Sequence, residues 1–224
     1  GITPGVETTT GPLGQGIGNG VGMALAARHE RYLLDATTEN SIFDHRIWVL
    51  ASDGDIEEGV SAEASSFAGR QELGLLNVIY DDNQITIDGP SSLSLSEDVA
   101  GRYLAYGWHV QTVDRAANGD VDLPAFAAAC EAATLETAKP SLIVLKTTIA
   151  WPAPSAQNTS ASHGSALGAD EIAATKSVLG FDPEQHFAID DDVLTHTRQA
   201  MVRGAQLHNE WNQARAKWQE AHPE

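Results

Sequence analysis

The sequence has one cysteine, few basic residues and no long apolar run, and each shortage argues against a class of protein. Cys130 has no partner for an internal disulfide, and its alanine-rich surroundings predict a small core residue rather than a nucleophile. Only 13 Lys and Arg stand against 31 Asp and Glu, a formal net charge of −18. That balance argues against binding to nucleic acid or to an anionic membrane. No run of about 18 apolar residues predicts a transmembrane helix.

The start of the chain is informative about location. Residues 1–10 lack the basic start and apolar stretch of a secretory signal, so we expect a reducing cytoplasmic location. The first residue is Gly1 rather than Met, which predicts that the chain is part of a longer protein. With 224 residues, 42% of them hydrophobic, it can build one sizeable domain with an appendage.

Apolar runs alternate with helical patterns between residues 46 and 147. The predicted strands are 46–51, 75–80, 108–113 and 141–146, with a short extended segment at 85–89 that ends in a turn. The predicted helices are 17–34, 57–73, 97–106, 123–134, 170–179 and 191–220. This alternation predicts an α/β fold, a parallel sheet with helices on both faces, followed by a helical C-terminal extension.

The first predicted helix is unusually rich in glycine and alanine. It follows the turn Gly11-Pro12-Leu13-Gly14-Gln15-Gly16 and carries Gly18, Gly20 and Gly22. Each glycine inside a helix costs about 1 kcal/mol relative to alanine. We therefore expect another backbone to approach this helix closely, either within the chain or in a partner.

Polar residues follow two successive predicted strands. Asp53 and Asn83 lie thirty residues apart, the length of one strand–helix–strand unit. If the two strands are neighbours, both side chains face one point at the carboxyl edge of the sheet, where open α/β folds bind ligands. These oxygen ligands, with the carbonyl of Ile85, suit Mg²⁺ or Ca²⁺, and Mg²⁺ usually also binds a phosphate group. Gly54 would let the backbone approach that diphosphate.

These motifs together resemble those of the transketolase family, whose fold binds thiamine diphosphate. The resemblance covers nearly the whole chain, and it rests on the glycine-rich turn at 11–16, Ser52-Asp53-Gly54, Asp82-Asn83, Ile85–Gly89, Ala105–Trp108, Thr147–Ile149, Ser162-His163-Gly164, Phe181–Pro183 and Asn209–Trp211. It implies a thiamine diphosphate-binding domain over residues 1–180. Residues 181–224 would form a helical extension leading to an interdomain linker.

The resemblance assigns roles to individual residues. It implies that Asp53, Asn83 and the carbonyl of Ile85 bind the metal, and thereby the cofactor. The other implied cofactor contacts are the backbone of Gly11 and Leu13 at the aminopyrimidine, Gly54 at the diphosphate, His163 at the phosphates and the reacting region, and Glu58.

Two of these side chains have an ordinary interpretation as well. Glu58 would lie with Glu63 in a carboxylate network linking the two active sites of a homodimer. From the residues alone, both glutamates are exposed partners of a helix dipole. His163 alone is most simply an exposed loop histidine, and the family role makes it a catalytic acid–base group.

The implied activity is transfer of a two-carbon ketol unit from a ketose phosphate to an aldose phosphate. The family has Gly at the position of Ser52. It also has upstream histidines and a later domain with a catalytic glutamate, and this chain contains neither. The alternatives are another thiamine diphosphate enzyme, such as deoxyxylulose phosphate synthase or dihydroxyacetone synthase, or a non-catalytic cofactor-binding or dimerising module.

Overall fold

The computed structural model describes residues 3–223, which form seven α-helices and six β-strands. The strands are β1 (Ile47–Ser52), β2 (Leu76–Asp82), β3 (Ile85–Thr86), β4 (Gly89–Pro90), β5 (His109–Val113) and β6 (Ser141–Lys146). The helices are α1 (Gln15–Leu34), α2 (Asp53–Glu57), α3 (Gly59–Arg70), α4 (Val99–Ala105), α5 (Leu123–Leu135), α6 (Ala169–Val178) and α7 (Asp191–Ala221).

Four strands form one parallel sheet in the order β1-β2-β6-β5. Each is a short apolar run, and β6 in the middle is buried over its first five residues. The strands β3 and β4 form a separate antiparallel hairpin, which is the predicted extended segment with its turn. The predicted parallel α/β fold with a helical C-terminal segment is confirmed.

Helices cover both faces of the sheet. On one face, residues of β1, β2 and β6 pack with α1, α3 and α4, including Ile17, Ala68 and Tyr103. On the other face, Ile143 and Leu145 of β6 pack against Ala129 and Ala133 of α5. Cys130 is half-buried beside this second cluster, in agreement with its prediction as a small packing residue, and burial raises the pKa of its thiol.

The predicted helix 57–73 is wrong in one respect, because the structure has two helices there. The first, α2, begins directly at Asp53, and the chain is extended at Glu58 (ψ 135°) before α3 begins. The hydroxyl of Ser61 donates to the carbonyl of Asp55 (2.5 Å), the acceptor that Gly59 would use in a continuous helix. Glu57 therefore lies at the end of α2 and not in a first helical turn.

The glycines of α1 have different surroundings. A Cβ on Gly20 would lie 2.4 Å from Cγ2 of Val49 in β1, so the expected close approach occurs within the chain there. Gly18 and Gly22 have nothing within 4 Å of such a Cβ. Contact of this helix with a partner stays a prediction.

The C-terminal helix α7 projects from the sheet and has no buried residue within its described span. Its end contacts the rest of the chain through Trp218, whose ring meets Phe43 edge-on (5.3 Å) and whose Nε1 donates to the carbonyl of Leu34 (3.2 Å). Across residues 3–223, every helix is too short or too polar to span a bilayer.

Candidate cofactor-binding site

The carboxyl edge of the sheet brings the two predicted metal ligands together. β1 and β2 are parallel neighbours with Ser52 opposite Asp81, so Asp53 and Asn83 leave the sheet at adjacent places. The backbone N–H of Gln84 donates to Oδ2 of Asp53 (3.2 Å). The Asp53 carboxylate therefore touches the loop between Asn83 and Ile85, which joins all three expected ligands in one small region.

The loop itself is tightly turned. Gln84 has a left-handed backbone (φ 62°), a conformation that is uncommon for residues other than glycine. Oδ1 of Asn83 accepts a hydrogen bond from the N–H of Ile85 (2.9 Å), and its Nδ2 donates to Oδ2 of Asp81 (3.1 Å). These bonds distinguish the two ends of the Asn83 amide and fix its orientation.

The glycine-rich turn before α1 lies against this edge. The N–H of Gly14 donates to Oδ1 of Asp55 (2.8 Å), and Gly14 has a positive φ of 74°. A Cβ there would come within 2.8 Å of Cβ of Glu58, so the backbone approaches the α2–α3 junction closely. The side chain of Leu13 packs over Gly54, 3.0 Å from where a Cβ would stand. The structure thus brings Leu13, Gly54 and Glu58 to the same region as Asp53.

The electrostatics of this edge favour a cation. Asp53 is 2% exposed, and burial raises the pKa of its carboxyl against the opposing effect of the Tyr80 hydrogen bond. Burial also raises the pKa of Asp82, whose charge in turn raises that of Asp53. A buried carboxylate is costly unless it is paired or coordinates a metal. Hard oxygen donors with this environment fit Mg²⁺ or Ca²⁺.

The remaining predicted residues lie apart from this cluster or on the surface. Glu58 and Glu63 are exposed, in agreement with the simpler interpretation of both. Gly11 is exposed in the glycine-rich turn. His163 is exposed in the loop after β6, where its N–H donates to the carbonyl of Ser160 (3.0 Å). No hydrogen bond between described residues joins His163 to Asp53 or Asn83, so its role stays a prediction.

Three side chains that organise this edge were not predicted from the sequence. Asp55 accepts from the N–H of Ser52 (2.9 Å) as well as from Gly14, and the Ser52-x-x-Asp55 capping spacing was a signal for it. Asp81 accepts from Asn83 and from the hydroxyl of Thr147. Tyr80 donates to Asp53. Nothing in the sequence distinguishes Tyr80 from an ordinary core aromatic residue.

A parallel sheet with convergent oxygen donors at its carboxyl edge defines an α/β domain that binds a ligand at that edge. The profile of the family described as "Transketolase, thiamine diphosphate binding domain" matches residues 1–224. The chain therefore belongs to the transketolase family, and the sequence-based resemblance is confirmed.

Individual relatives agree with this assignment. The chain is 52% identical over 224 residues to the transketolase of Mycobacterium leprae and 44% identical over 225 residues to transketolase 1 of Saccharomyces cerevisiae. In both cases the match covers 99% of this chain and 32% of the relative. A transketolase structure from Leishmania mexicana has a TM-score of 0.88 at 41% identity, over 99% of this chain and 32% of that one. The chain thus spans about a third of the length of these relatives.

Proposed function

We propose that this chain is the part of a transketolase that holds thiamine diphosphate through a divalent metal ion, Mg²⁺ or Ca²⁺. Its ligands are the Asp53 carboxylate, Oδ1 of Asn83 and the carbonyl of Ile85. The observation that carries this proposal is the contact between the buried Asp53 carboxylate and the backbone of the loop bearing the other two ligands. Mg²⁺ held by so few protein ligands normally completes its coordination with water and phosphate oxygens.

The proposed activity of the complete protein is transfer of a two-carbon ketol unit from a ketose phosphate to an aldose phosphate. Transketolase structures from Pichia stipitis are described as complexes with sedoheptulose-7-phosphate and with fructose-6-phosphate. Thiamine diphosphate, when bound, supplies the electron sink. In this chain, Gly11, Leu13 and Gly54 position the cofactor, and His163 contacts its phosphates and moves a proton at the reacting region.

The proposed protein is a cytoplasmic homodimer in which Glu58 and Glu63 link the two active sites. Their exposure on α3 and at its start is compatible with such a contact. Residues 1–180 form the cofactor-binding domain and residues 181–224 a helical extension. The lack of buried residues in α7 supports a separate role for that extension.

Calorimetric titration with thiamine diphosphate, with and without Mg²⁺, tests the cofactor assignment. We expect the wild-type chain to bind only with Mg²⁺ and Asp53→Ala to lose that binding with a native circular dichroism spectrum. The matched control is Asp114→Ala, because Asp114 also follows the carboxyl end of a strand but is exposed and paired with Lys146 (2.7 Å). Cofactor binding that is unchanged in Asp53→Ala would contradict the metal assignment.

A further inference from the structure

A buried phenol lies directly beside the proposed metal ligand Asp53. Tyr80 of β2 is 2% exposed, and its hydroxyl donates to Oδ1 of Asp53 at 2.8 Å. The same hydroxyl is 3.5 Å from Oδ1 of Asp82. Since a phenol has one proton to donate, the shorter contact indicates that the proton is directed at Asp53.

Each oxygen of the Asp53 carboxylate accepts one hydrogen bond from a different element. Tyr80 reaches Oδ1 from the strand, and the N–H of Gln84 reaches Oδ2 from the ligand loop. Two bonds on opposite oxygens fix the rotation of the carboxylate plane, while each oxygen keeps a further lone pair for a cation. The bond from Gln84 belongs to the loop that holds the other ligands, so Tyr80 is the support that comes from the rigid sheet.

The surroundings of Tyr80 keep its hydroxyl available as a donor. Burial, followed by the charge of Asp53, raises the pKa of Tyr80 far above its usual range, so the hydroxyl stays protonated. A cavity of about 450 Å³ borders this pair, and its wall includes Asp53, Tyr80, Asp82 and Lys146. Replacing the phenol with a phenyl ring would remove the donor and leave most of the wall in place.

We propose that Tyr80 is a positioning residue whose hydroxyl orients the Asp53 carboxylate for a divalent cation. This inference rests on the proposed metal site. Outer hydrogen bonds to a ligating carboxylate typically change metal affinity by roughly 10- to 100-fold. Mg²⁺ needs near-ideal octahedral geometry, whereas Ca²⁺ accepts a carboxylate in several orientations. A carboxylate released from Tyr80 should therefore bind Mg²⁺ much less well and Ca²⁺ only slightly less well.

The test compares Tyr80→Phe with Tyr103→Phe in the full chain. Tyr103 is a matched control because it is also fully buried and its hydroxyl accepts a hydrogen bond from Ser65 (3.0 Å), within α3 and α4. Calorimetry with saturating thiamine diphosphate gives the dissociation constants of Mg²⁺ and Ca²⁺ for each variant. We expect Tyr80→Phe to weaken Mg²⁺ binding by roughly 10-fold or more and Ca²⁺ binding by less, and Tyr103→Phe to change neither.

The outcomes separate this inference from the proposed function. If the wild type binds both cations and Tyr80→Phe binds them equally well, the positioning role is wrong and the metal site stands. An equal loss of both cations, together with a lower unfolding temperature, would show a structural role alone and would overturn the inference. If the wild type binds neither cation, the metal site and the inference both fail.

Discussion

At the residue scale, Asp55 joins three segments that are far apart in the sequence. Its carboxylate accepts from the N–H and the hydroxyl of Ser52 (2.9 and 3.1 Å) and from the N–H of Gly14 (2.8 Å). The end of β1, the start of α2 and the glycine-rich turn are thereby held together. Because Gly14 combines a positive φ with a close approach to Glu58, a side chain at that position would disturb this connection.

Glycine at position 69 is predicted to be essential for packing. A Cβ on Gly69 would lie 2.0 Å from the carbonyl oxygen of Tyr106, which belongs to the backbone and cannot move aside cheaply. We expect Gly69→Ala to lower the free energy of unfolding by about 1–3 kcal/mol, measured by urea denaturation.

The control for that substitution is Gly22→Ala on the exposed side of α1. Position 22 has nothing within 4 Å of a built Cβ, so alanine there should stabilise the chain by up to about 1 kcal/mol through its helix propensity. Equal effects of the two substitutions would contradict the packing assigned to Gly69.

The buried Asp53 carboxyl gives stability a defined pH dependence when no metal is added. Because its pKa is raised by burial, its stabilising contribution is complete below the unfolded value of about 3.9 and is lost as pH rises through the folded pKa. We expect the unfolding free energy of the wild type, relative to Asp53→Asn, to fall as pH rises from about 4. Urea titrations at several pH values measure it, and a difference that is independent of pH would refute it.

At the element scale, side-chain caps determine where two of the helices begin. Asp98 accepts from the N–H of Gly101 (3.0 Å) at the start of α4, and Asp122 accepts from the N–H of Ala125 (3.0 Å) at the start of α5. Each bond satisfies a backbone donor that has no partner within its own helix. Capping residues of this type are visible in the sequence, and the predicted start of α5 at Leu123 is confirmed.

The cap of α5 leads to a quantitative prediction. Asp122→Ala removes the acceptor at the start of the helix that covers Ile143 and Leu145, and should cost about 1 kcal/mol of stability. Asp122→Asn keeps an acceptor oxygen and should cost much less. Thermal denaturation of both variants measures the difference, and equal losses would show that the capping bond is not the cause.

The division of the predicted helix 57–73 is also decided at this scale. Helical periodicity continues through Glu57 and Gly59, so the sequence pattern alone favours one helix. The structure separates α2 from α3 because Asp55 and Ser61 use their polar groups for contacts across the junction. Those contacts depend on the glycine-rich turn, which precedes the junction by more than forty residues.

At the scale of the whole molecule, α7 contributes little to the core. We expect a chain ending at residue 190 to fold cooperatively, since only the contacts of Trp218 with Phe43 and Leu34 would be lost. An edge-on aromatic pair contributes about 1 kcal/mol, which corresponds to a shift of roughly 2–4 °C in Tm. Differential scanning calorimetry measures this, and loss of a cooperative transition would show that α7 is required for folding.

The sheet also leaves apolar side chains uncovered next to its edge strand. Trp48 and Leu50 of β1 lie on the face that α5 covers further along, and Leu50 is 80% exposed. On the opposite face, Val49 of the same strand is buried against α1. The two faces of β1 therefore differ strongly in burial, although both carry large apolar residues.

The sequence by itself determined the fold class, the family and the positions of the expected metal ligands. Apolar runs of strand length alternate with helical patterns, and this local information is enough to predict a parallel α/β sheet. The spacing of Asp53 and Asn83 identified two strand ends, and the structure shows that these strands are neighbours.

Only the tertiary structure decided which groups support those ligands. The strand order, with β6 between β2 and β5, is not encoded in any local pattern. The Tyr80 hydroxyl meets Asp53, and Asp55 meets Gly14, across 27 and 41 residues of sequence. Hydrogen bonds depend on distance and direction in space, so residues remote in the chain become partners only once the sheet and its helices have packed.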